Sequence, residues 1–257
     1  TYRGGRLLEA KFLRIREWEF WPKWAFYPPV LLWVLFLAIR YRSLTVFTLA
    51  GRGIKPFGGL AYESKHEVLN SFKKDHRIAR FRLIGEGDIE ARMAKLGAFQ
   101  RETEAEYPIV LKPDAGDRGK DVVVARSETE ARKQMIEYGM PLVAQEYIGG
   151  VEFGVFYARH PEWESGRIIS ITEKRLPYVI GDGKRKLSRL IFDDPRSLRM
   201  AQFFLKKWEA KLDHVPVYGA RFMLGDLGTH SRGATFIDAN ALKTPALEAA
   251  IDDLSLQ

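Results

Sequence analysis

The chain has 257 residues, 46% hydrophobic and 29% charged. That is enough apolar material for one large domain or two modest ones, and it excludes collagen-like, mucin-like and wholly disordered polymers. The absence of cysteine removes disulfide frameworks, thiolate zinc sites, iron–sulfur clusters and cysteine nucleophiles together, and a reducing compartment is compatible with it. The net charge of +8 is uneven: residues 1 to 82 carry 16 basic and 6 acidic side chains, the remainder 25 and 27, so an anionic partner is expected for the N-terminal third alone.

The chain begins at Thr1 without an initiator methionine, as a fragment would. Between Glu17 and Phe47 it packs ten aromatic residues, among them Trp18, Trp21, Trp24 and Trp33. From Trp24 to Ile39 there are 16 residues without a charge, bounded by Lys23 and by Arg40 and Arg42. Pro28 and Pro29 restrict the helix to about Val30–Tyr41, too short for the roughly 20 residues that span a bilayer. It is apolar on every face, so it belongs in lipid or at the centre of a protein core. The flanking tryptophans, tyrosines and arginines suit headgroup depth, and the local charge excess favours a re-entrant or interfacial anchor on an anionic membrane surface. No small-residue cleavage site of a secretory signal is visible.

The pattern becomes strongly periodic from residue 107. Tyr107 to Lys112 predicts a short apolar strand ending in a lysine and stopped by Pro113. Residues 114–120 form a loop with Gly116 and Gly119 at permissive positions, followed by a strand over Val122–Ala125. Ser127 with Glu130 predicts a capping box opening a helix to about Tyr138. Residues 141–148 read as a strand, Gly149-Gly150 as a turn and residues 152–158 as its antiparallel neighbour. Gly166 to Lys174 predicts one more strand, and Arg196 to Leu212 an amphipathic helix with Lys206, Lys207 and Lys211 on a solvated face.

A strand-end lysine beside a glycine loop is a way to hold phosphate oxygens. It is not a Walker loop, because Asp114 stands at its first glycine and Asp121 where Ser or Thr should follow, and no G-x-G-x-x-G supports a dinucleotide fold. Taken singly, Lys112 reads better as a surface lysine with its stem on the sheet than as a phosphate ligand. The histidines His66, His76, His160, His214 and His230 show no metal-ligand spacing.

Taken in order, four segments resemble the ATP-grasp superfamily, in particular its carboxylate–amine ligases such as D-alanine–D-alanine ligase and the cyanophycin-synthetase-like members. They are Glu63-Ser64-Lys65 at a helix start, Ile109-Val-Leu-Lys112-Pro113 with its glycine loop, Gln145 to Phe153, and Gly181 to Ile191; the resemblance covers about residues 56 to 257. It implies an α+β architecture: an ATP-grasp fold of two α/β lobes with the nucleotide between antiparallel sheets, here with a hydrophobic N-terminal helical anchor. The tryptophan-rich N-terminus is similar to that of a membrane-associated bacterial branch. The expected organisation is an aromatic, basic region over 1–55, an N-terminal lobe segment over 56–106 and the ATP-grasp domain over 107–257.

The resemblance also implies the site. ATP and Mg²⁺ are the expected cofactors. Lys65 and Lys112 would bind α and β phosphate oxygens, with Gly116, Gly119 and Arg118 in the loop that closes over them and Lys120 beside them. Gln145, Glu146, Tyr147 and Ile148 form the hinge whose backbone pairs with adenine, and Glu152 takes the ribose hydroxyls. Lys174 is the candidate for the γ-phosphate, and Arg232, in the Thr229-His230-Ser231-Arg232 loop, for an acidic substrate. The implied reaction activates a carboxylate as its acyl phosphate and joins it to an amine. The substrates would be small or lipid-like acids and amines, and the enzyme would lie on the cytoplasmic side of the inner membrane, peripheral or monotopic.

The implied metal ligands are a carboxylate on one strand and an acidic-x-Asn pair on the next. With Gly219 to Leu224 and Phe236 to Asn240 as those strands, Met223 stands where the carboxylate belongs, and a thioether is a poor ligand for Mg²⁺. In the preferred placement residues 221–238 precede the metal strands, Thr244 and Pro245 open a following helix, and the metal ligands lie beyond Gln257. A catalytically inactive, membrane-associated nucleotide-binding scaffold is the alternative reading. Nucleic acid is not an expected partner: aromatics interleaved with arginine suit stacking, but a ten-residue apolar run does not.

Overall fold

Period-two alternation punctuated by proline and glycine builds three small antiparallel sheets in the computed structural model, which describes residues 2–17, 20–45, 48, 63–72, 75–116, 119–229 and 232–256. In chain order the elements are α1 (Tyr2–Arg16), α2 (Lys23–Phe26), α3 (Pro28–Arg40), α4 (Lys65–Ser71), β1 (Phe81–Ile84), α5 (Ile89–Thr103), β2 (Ile109–Pro113), β3 (Val123–Ala125), α6 (Glu128–Tyr138) and β4 (Leu142–Glu146). They continue with β5 (Glu152–Ala158), β6 (Arg167–Arg175), β7 (Tyr178–Ile180), α7 (Leu187–Asp193), α8 (Pro195–Arg199), α9 (Ala201–Lys207), β8 (Arg221–Met223), β9 (Thr235–Asp238) and α10 (Pro245–Ser255). Helices and antiparallel sheets are mixed, in keeping with the α+β expectation. The contacts divide the chain into two units, Thr1–Leu32 with Val151–Pro245, and Trp33–Gly150 with Ala246–Gln257.

In the second of these units the strand order is β1-β4-β2-β3. One face of that sheet, with Ile84, Ile109, Leu111, Leu142 and Ala144, is buried against Leu96 and Phe99 of α5 and Ala131 and Met135 of α6. Burial of each large side chain contributes about 1.5–3 kcal/mol. Both helices start on side-chain caps: Asp88 accepts from the Ala91 amide and Ser127 from the Glu130 amide. The expected capping box is shifted by one residue, because the Glu130 carboxylate reaches back to the amide of Arg126. Arg92, buried on α5, donates to the carbonyls of Met135 and Met140, both at 2.7 Å, and so satisfies the C-terminal end of α6.

In the other unit β5-β6-β9 and β7-β8 form separate sheets. Its apolar core gathers Val179, Leu187, Ile191, Phe204 and Leu224, and α1 packs on it through Leu7, Ala10 and Leu13, one helical face at a spacing of three. Tyr2 donates to Asp193 at 2.9 Å and Arg199 to Glu17 at 2.6 Å, tying both ends of the α1 segment to α7 and α8.

Three expectations change. Residues 141–148 and 152–158 are not hairpin neighbours: β4 is a central strand with β1 and β2 on its two edges, so no edge remains for β5, which pairs with β6. The helix expected over Arg196–Leu212 is divided into α8, α9 and the short turn Glu209–Lys211, because the Met200 amide bonds to Ser197 and tightens the chain there. The apolar helix starts at Pro28, two residues early, since a proline in the first turn gives up only an amide that has no helical acceptor. α3 exposes Leu31, Leu32, Trp33, Leu35, Phe36 and Ile39. Among the described residues no helix is long and apolar enough to cross a membrane.

Candidate functional site

The face of the four-stranded sheet opposite α5 and α6 carries Phe81, Leu83, Val110, Lys112, Val143 and Gln145, an apolar floor with one cation and one amide. Lys112 stands opposite Val143, one step along the same face from Gln145, and its Nζ donates to Gln145 Oε1 at 2.6 Å. The Gln145 amide nitrogen in turn donates to the carbonyl of Ala79 at 3.2 Å. Burial, and then the charge of Lys65, hold the Lys112 ammonium below the ordinary lysine range.

Lys65 reaches this place from the first turn of α4. Ser64 caps the helix, accepting from the Glu67 amide, and its hydroxyl donates to both carboxylate oxygens of Asp114 at 2.8 and 3.0 Å. The His66 amide donates to the same carboxylate at 2.8 Å, and the Lys65 amide to the Asp114 carbonyl at 3.0 Å. Asp114 is the residue just after β2, so it bolts the start of α4 to the end of the strand that carries Lys112. The Lys65 Nζ donates to the carbonyls of Gly116 at 2.7 Å and Asp114 at 3.3 Å. Neither ammonium is paired with a carboxylate among the described residues.

The other expected residues of this unit divide. Gly119 has φ +68°, which its lack of a side chain permits, and Gly116 lies close to Pro113. Arg118 lies outside the described residues. Glu146 turns to the opposite face of the sheet and binds the Arg80 amide at 2.7 Å and its guanidinium at 2.6 Å, so it fixes the residue that leads into β1. Tyr147 and Ile148 leave the strand with exposed side chains.

In the first unit Glu152 and Lys174 stand opposite each other on β5 and β6 and are joined as an ion pair. Gly228 packs on that pair: a Cβ there would stand 2.3 Å from a Glu152 carboxylate oxygen. Arg232 lies with its guanidinium 5.4 Å from the centre of the Phe203 ring on α9, and His230 lies outside the described residues. A cleft of about 530 Å³ beside β7 is lined by Arg175, Tyr178, Arg185, Asp193 and Arg196. Arg175 is paired with Glu173, and Arg185 with Asp182 and Asp193. The amide of Arg185, its guanidinium and the amide of Lys184 hold the Asp182 carboxyl far below its ordinary range.

The residues tested for Mg²⁺ do not fit it. Asn240 Oδ1 accepts from the Ile171 amide at 2.8 Å, and Asp238 accepts from the Asn240 amide at 3.0 Å, so the acidic-x-Asn pair closes the end of β9. Among the described residues no group of three or more acidic or histidine side chains is placed to hold a metal ion. Sequence reasoning missed the Ser64–Asp114 and Arg80–Glu146 locks. The serine of the Glu63-Ser64-Lys65 segment was the available signal for the first, and nothing local marks the second.

No protein-family model and no curated protein matches the chain. Among solved structures it is similar to the bifunctional glutathione synthetase from Pasteurella multocida, with 14% identity, TM-score 0.35, and coverage of 74% of this chain and 27% of that one. It is similar to the VanG D-Ala:D-Ser ligase from Enterococcus faecalis at 12% identity and TM-score 0.38, covering 74% and 41%. For the D-alanine–D-alanine ligase from Bacillus anthracis the values are 18%, 0.32, 76% and 62%. The chain thus spans less than two thirds of each of these proteins.

Proposed function

We propose that the protein is an ATP-dependent carboxylate–amine ligase of the ATP-grasp type that works at an anionic membrane surface, with Lys65 and Lys112 holding the polyphosphate of ATP. One observation carries the reading. The ammonium groups of Lys65 and half-buried Lys112 are bonded only to neutral oxygens, and burial, with the charge of Lys65 second, weakens proton binding at Lys112. Such a pair is costly until an anion arrives, and a polyphosphate chain offers charge to both at once. The apolar sheet face around Lys112 suits the flat faces of an adenine.

In the proposed reaction an oxygen of the substrate carboxylate bonds to the γ-phosphorus while the bond to the β,γ-bridging oxygen breaks, releasing ADP. The amine nitrogen then bonds to the acyl carbon, phosphate leaves with its oxygen, and the nitrogen gives up a proton. No protein nucleophile is needed, and cations that meet the developing charge supply the catalysis. The resemblance assigns Glu152 to the ribose hydroxyls, Lys174 to the γ-phosphate, Gly116, Arg118 and Gly119 to the closing loop, and the Tyr147 and Ile148 backbone to adenine. Arg232 is assigned to the acidic substrate. Asp238 and Asn240 are already engaged with backbone amides and do not fit Mg²⁺.

Attachment to the membrane is supported by α3, which exposes apolar side chains over the face away from buried Ala38, and by the basic excess of the first third. A second reading, a nucleotide-binding scaffold without turnover, is favoured by Met223 and by the engagement of Asn240. Calorimetric titration with ATP tests the common element: Lys112→Ala should weaken binding about tenfold to a hundredfold, the worth of a charge-assisted contact. Phosphate release that requires both an acid and an amine decides for the ligase. Unchanged affinity and turnover in Lys112→Ala removes the lysine from the site.

A further inference from the structure

We propose that a groove on α1 and α2, separate from the nucleotide residues, holds one acyl chain of an anionic phospholipid, with the lipid phosphate at Lys11 and Arg14. The groove encloses about 630 Å³, within the range of ligand sites, and its walls are Ile15, Phe20, Trp21 and Trp24. It is built rather than incidental. α1 is fixed to the core through Leu7, Ala10 and Leu13, which turns Lys11 and Ile15 outward and leaves Arg14, four residues after buried Ala10, half-buried against the Phe20 ring. The Trp21 indole donates to the Ile15 carbonyl at 2.7 Å, which occupies an acceptor in the last turn of α1 and sets the ring as a rigid wall. Phe20 is flanked by the guanidinium groups of Arg14 and Arg196, at 5.4 and 5.8 Å from its ring centre.

Two properties select the occupant. The trough is apolar along its length yet has two cations at its rim, and neither Lys11 nor Arg14 makes an ion pair with a described residue. An occupant must therefore bring a long apolar body and one anionic end, which is the build of an anionic lipid. Trp24, largely exposed at 79%, stands at the groove four residues before α3, so the amphipathic tryptophan, the cations and the apolar helix follow one another in the chain as interfacial anchors do. The bilayer reading supplies only the source of the lipid; the groove itself is judged by a soluble probe.

That probe is dihexanoyl phosphatidylglycerol below its micelle-forming concentration, titrated calorimetrically into the whole protein. The wild type should bind it, and the phosphatidylcholine of the same chains at least tenfold more weakly. Lys11→Gln with Arg14→Gln should weaken binding about thirtyfold, the worth of two basic residues at a lipid headgroup. Ala25→Trp fills the trough without touching a charge and should abolish binding, with far-UV circular dichroism checking that the protein is folded. Equal affinity for the two headgroups, or undiminished binding in either variant, overturns the proposal. Leu32→Glu with Leu35→Glu on α3 separates the two readings: it should abolish flotation with phosphatidylglycerol vesicles and leave the soluble titration unchanged. Flotation that survives in that variant sinks the membrane role of α3 alone, whereas loss of the soluble titration in it sinks the separate groove.

Discussion

Asp114→Ala tests the geometry that brings the two lysines together, at a residue assigned no contact with the ligand. Its carboxylate accepts the Ser64 hydroxyl at 2.8 Å and the His66 amide at 2.8 Å. Hydrogen bonds to a charged group are worth about 1.5–3 kcal/mol each; Asp114 is partly exposed, so the lower end applies and the pair amounts to about 3 kcal/mol. The loss falls on α4 rather than on the whole fold. Seven residues are far below the roughly 12–15 at which an isolated helix becomes even marginal, so α4 depends on this anchor and on the edge contact of His66 with Phe81, at 5.9 Å between ring centres.

Hydrogen exchange followed by mass spectrometry resolves that local loss. Amides of residues 65–71 should exchange on the order of a hundredfold faster in Asp114→Ala, while those of α6 keep their protection. Ser64→Ala removes the cap, about 1 kcal/mol, and the hydroxyl bond to Asp114, about 1.5 kcal/mol, but leaves the His66 amide on the carboxylate, and should accelerate the same amides on the order of fiftyfold. ATP affinity should fall with the exchange protection, because Lys65 rides on α4. Unchanged exchange over 65–71 in Asp114→Ala would refute the lock, and unchanged exchange with weakened ATP binding would give Asp114 a direct role instead.

Two further outcomes follow from buried cations. Because Lys112 titrates below its ordinary value, ATP affinity should decline with rising pH before the lysine reference of 10.5 is reached, and calorimetry of Lys112→Met should show that decline removed. For the free protein the sign is opposite: the unfolded chain holds the proton that folded Lys112 has lost, so stability rises with pH across the interval from the lowered value to the ordinary one. Arg92→Met should cost about 1–3 kcal/mol in urea unfolding with the slope unchanged, since it takes the guanidinium from the Met140 carbonyl and leaves the Met135 carbonyl with the Gly139 amide alone.

Local signals in the sequence were read well where the physics is local. The Ser127 cap, the stop at Pro113, the β5 boundaries and the opening of α10 at Pro245 all depend on residues a few positions apart. Pairing was not legible. Gly149-Gly150 looks like a hairpin turn from either side, and only the occupancy of both edges of β4 by β1 and β2, set by residues as distant as Phe81 and Lys112, forbids it. The same limit applies to the candidate site. That Lys112 ends a strand is visible in Ile109 to Pro113; that Gln145 is its acceptor and Lys65 its neighbour depends on register and on Asp114, 49 residues after Lys65 in the chain. Glu146 shows the converse. Its neighbour on the chain, Gln145, faces the lysine, and alternation along β4 alone sends Glu146 to the other side, where it binds Arg80.

The ion pair of Glu152 with Lys174 bears on whether the two residues can serve the roles proposed for them. Each was assigned to a different part of the nucleotide, yet each satisfies the other across β5 and β6. A partly exposed pair of this kind contributes about 0–1 kcal/mol, so exchanging it for two ligand contacts costs little. What makes room for the pair is Gly228, since any Cβ there would meet the Glu152 carboxylate and the Lys174 stem. The free protein thus keeps a carboxylate and an ammonium mutually neutralised. Lys65 and Lys112 are kept the other way, close together with like charge. A polyanion is drawn to the second pair, whereas in the first the Glu152 carboxylate offsets the Lys174 ammonium, so the electrostatic preference for where phosphate begins to bind lies with Lys65 and Lys112.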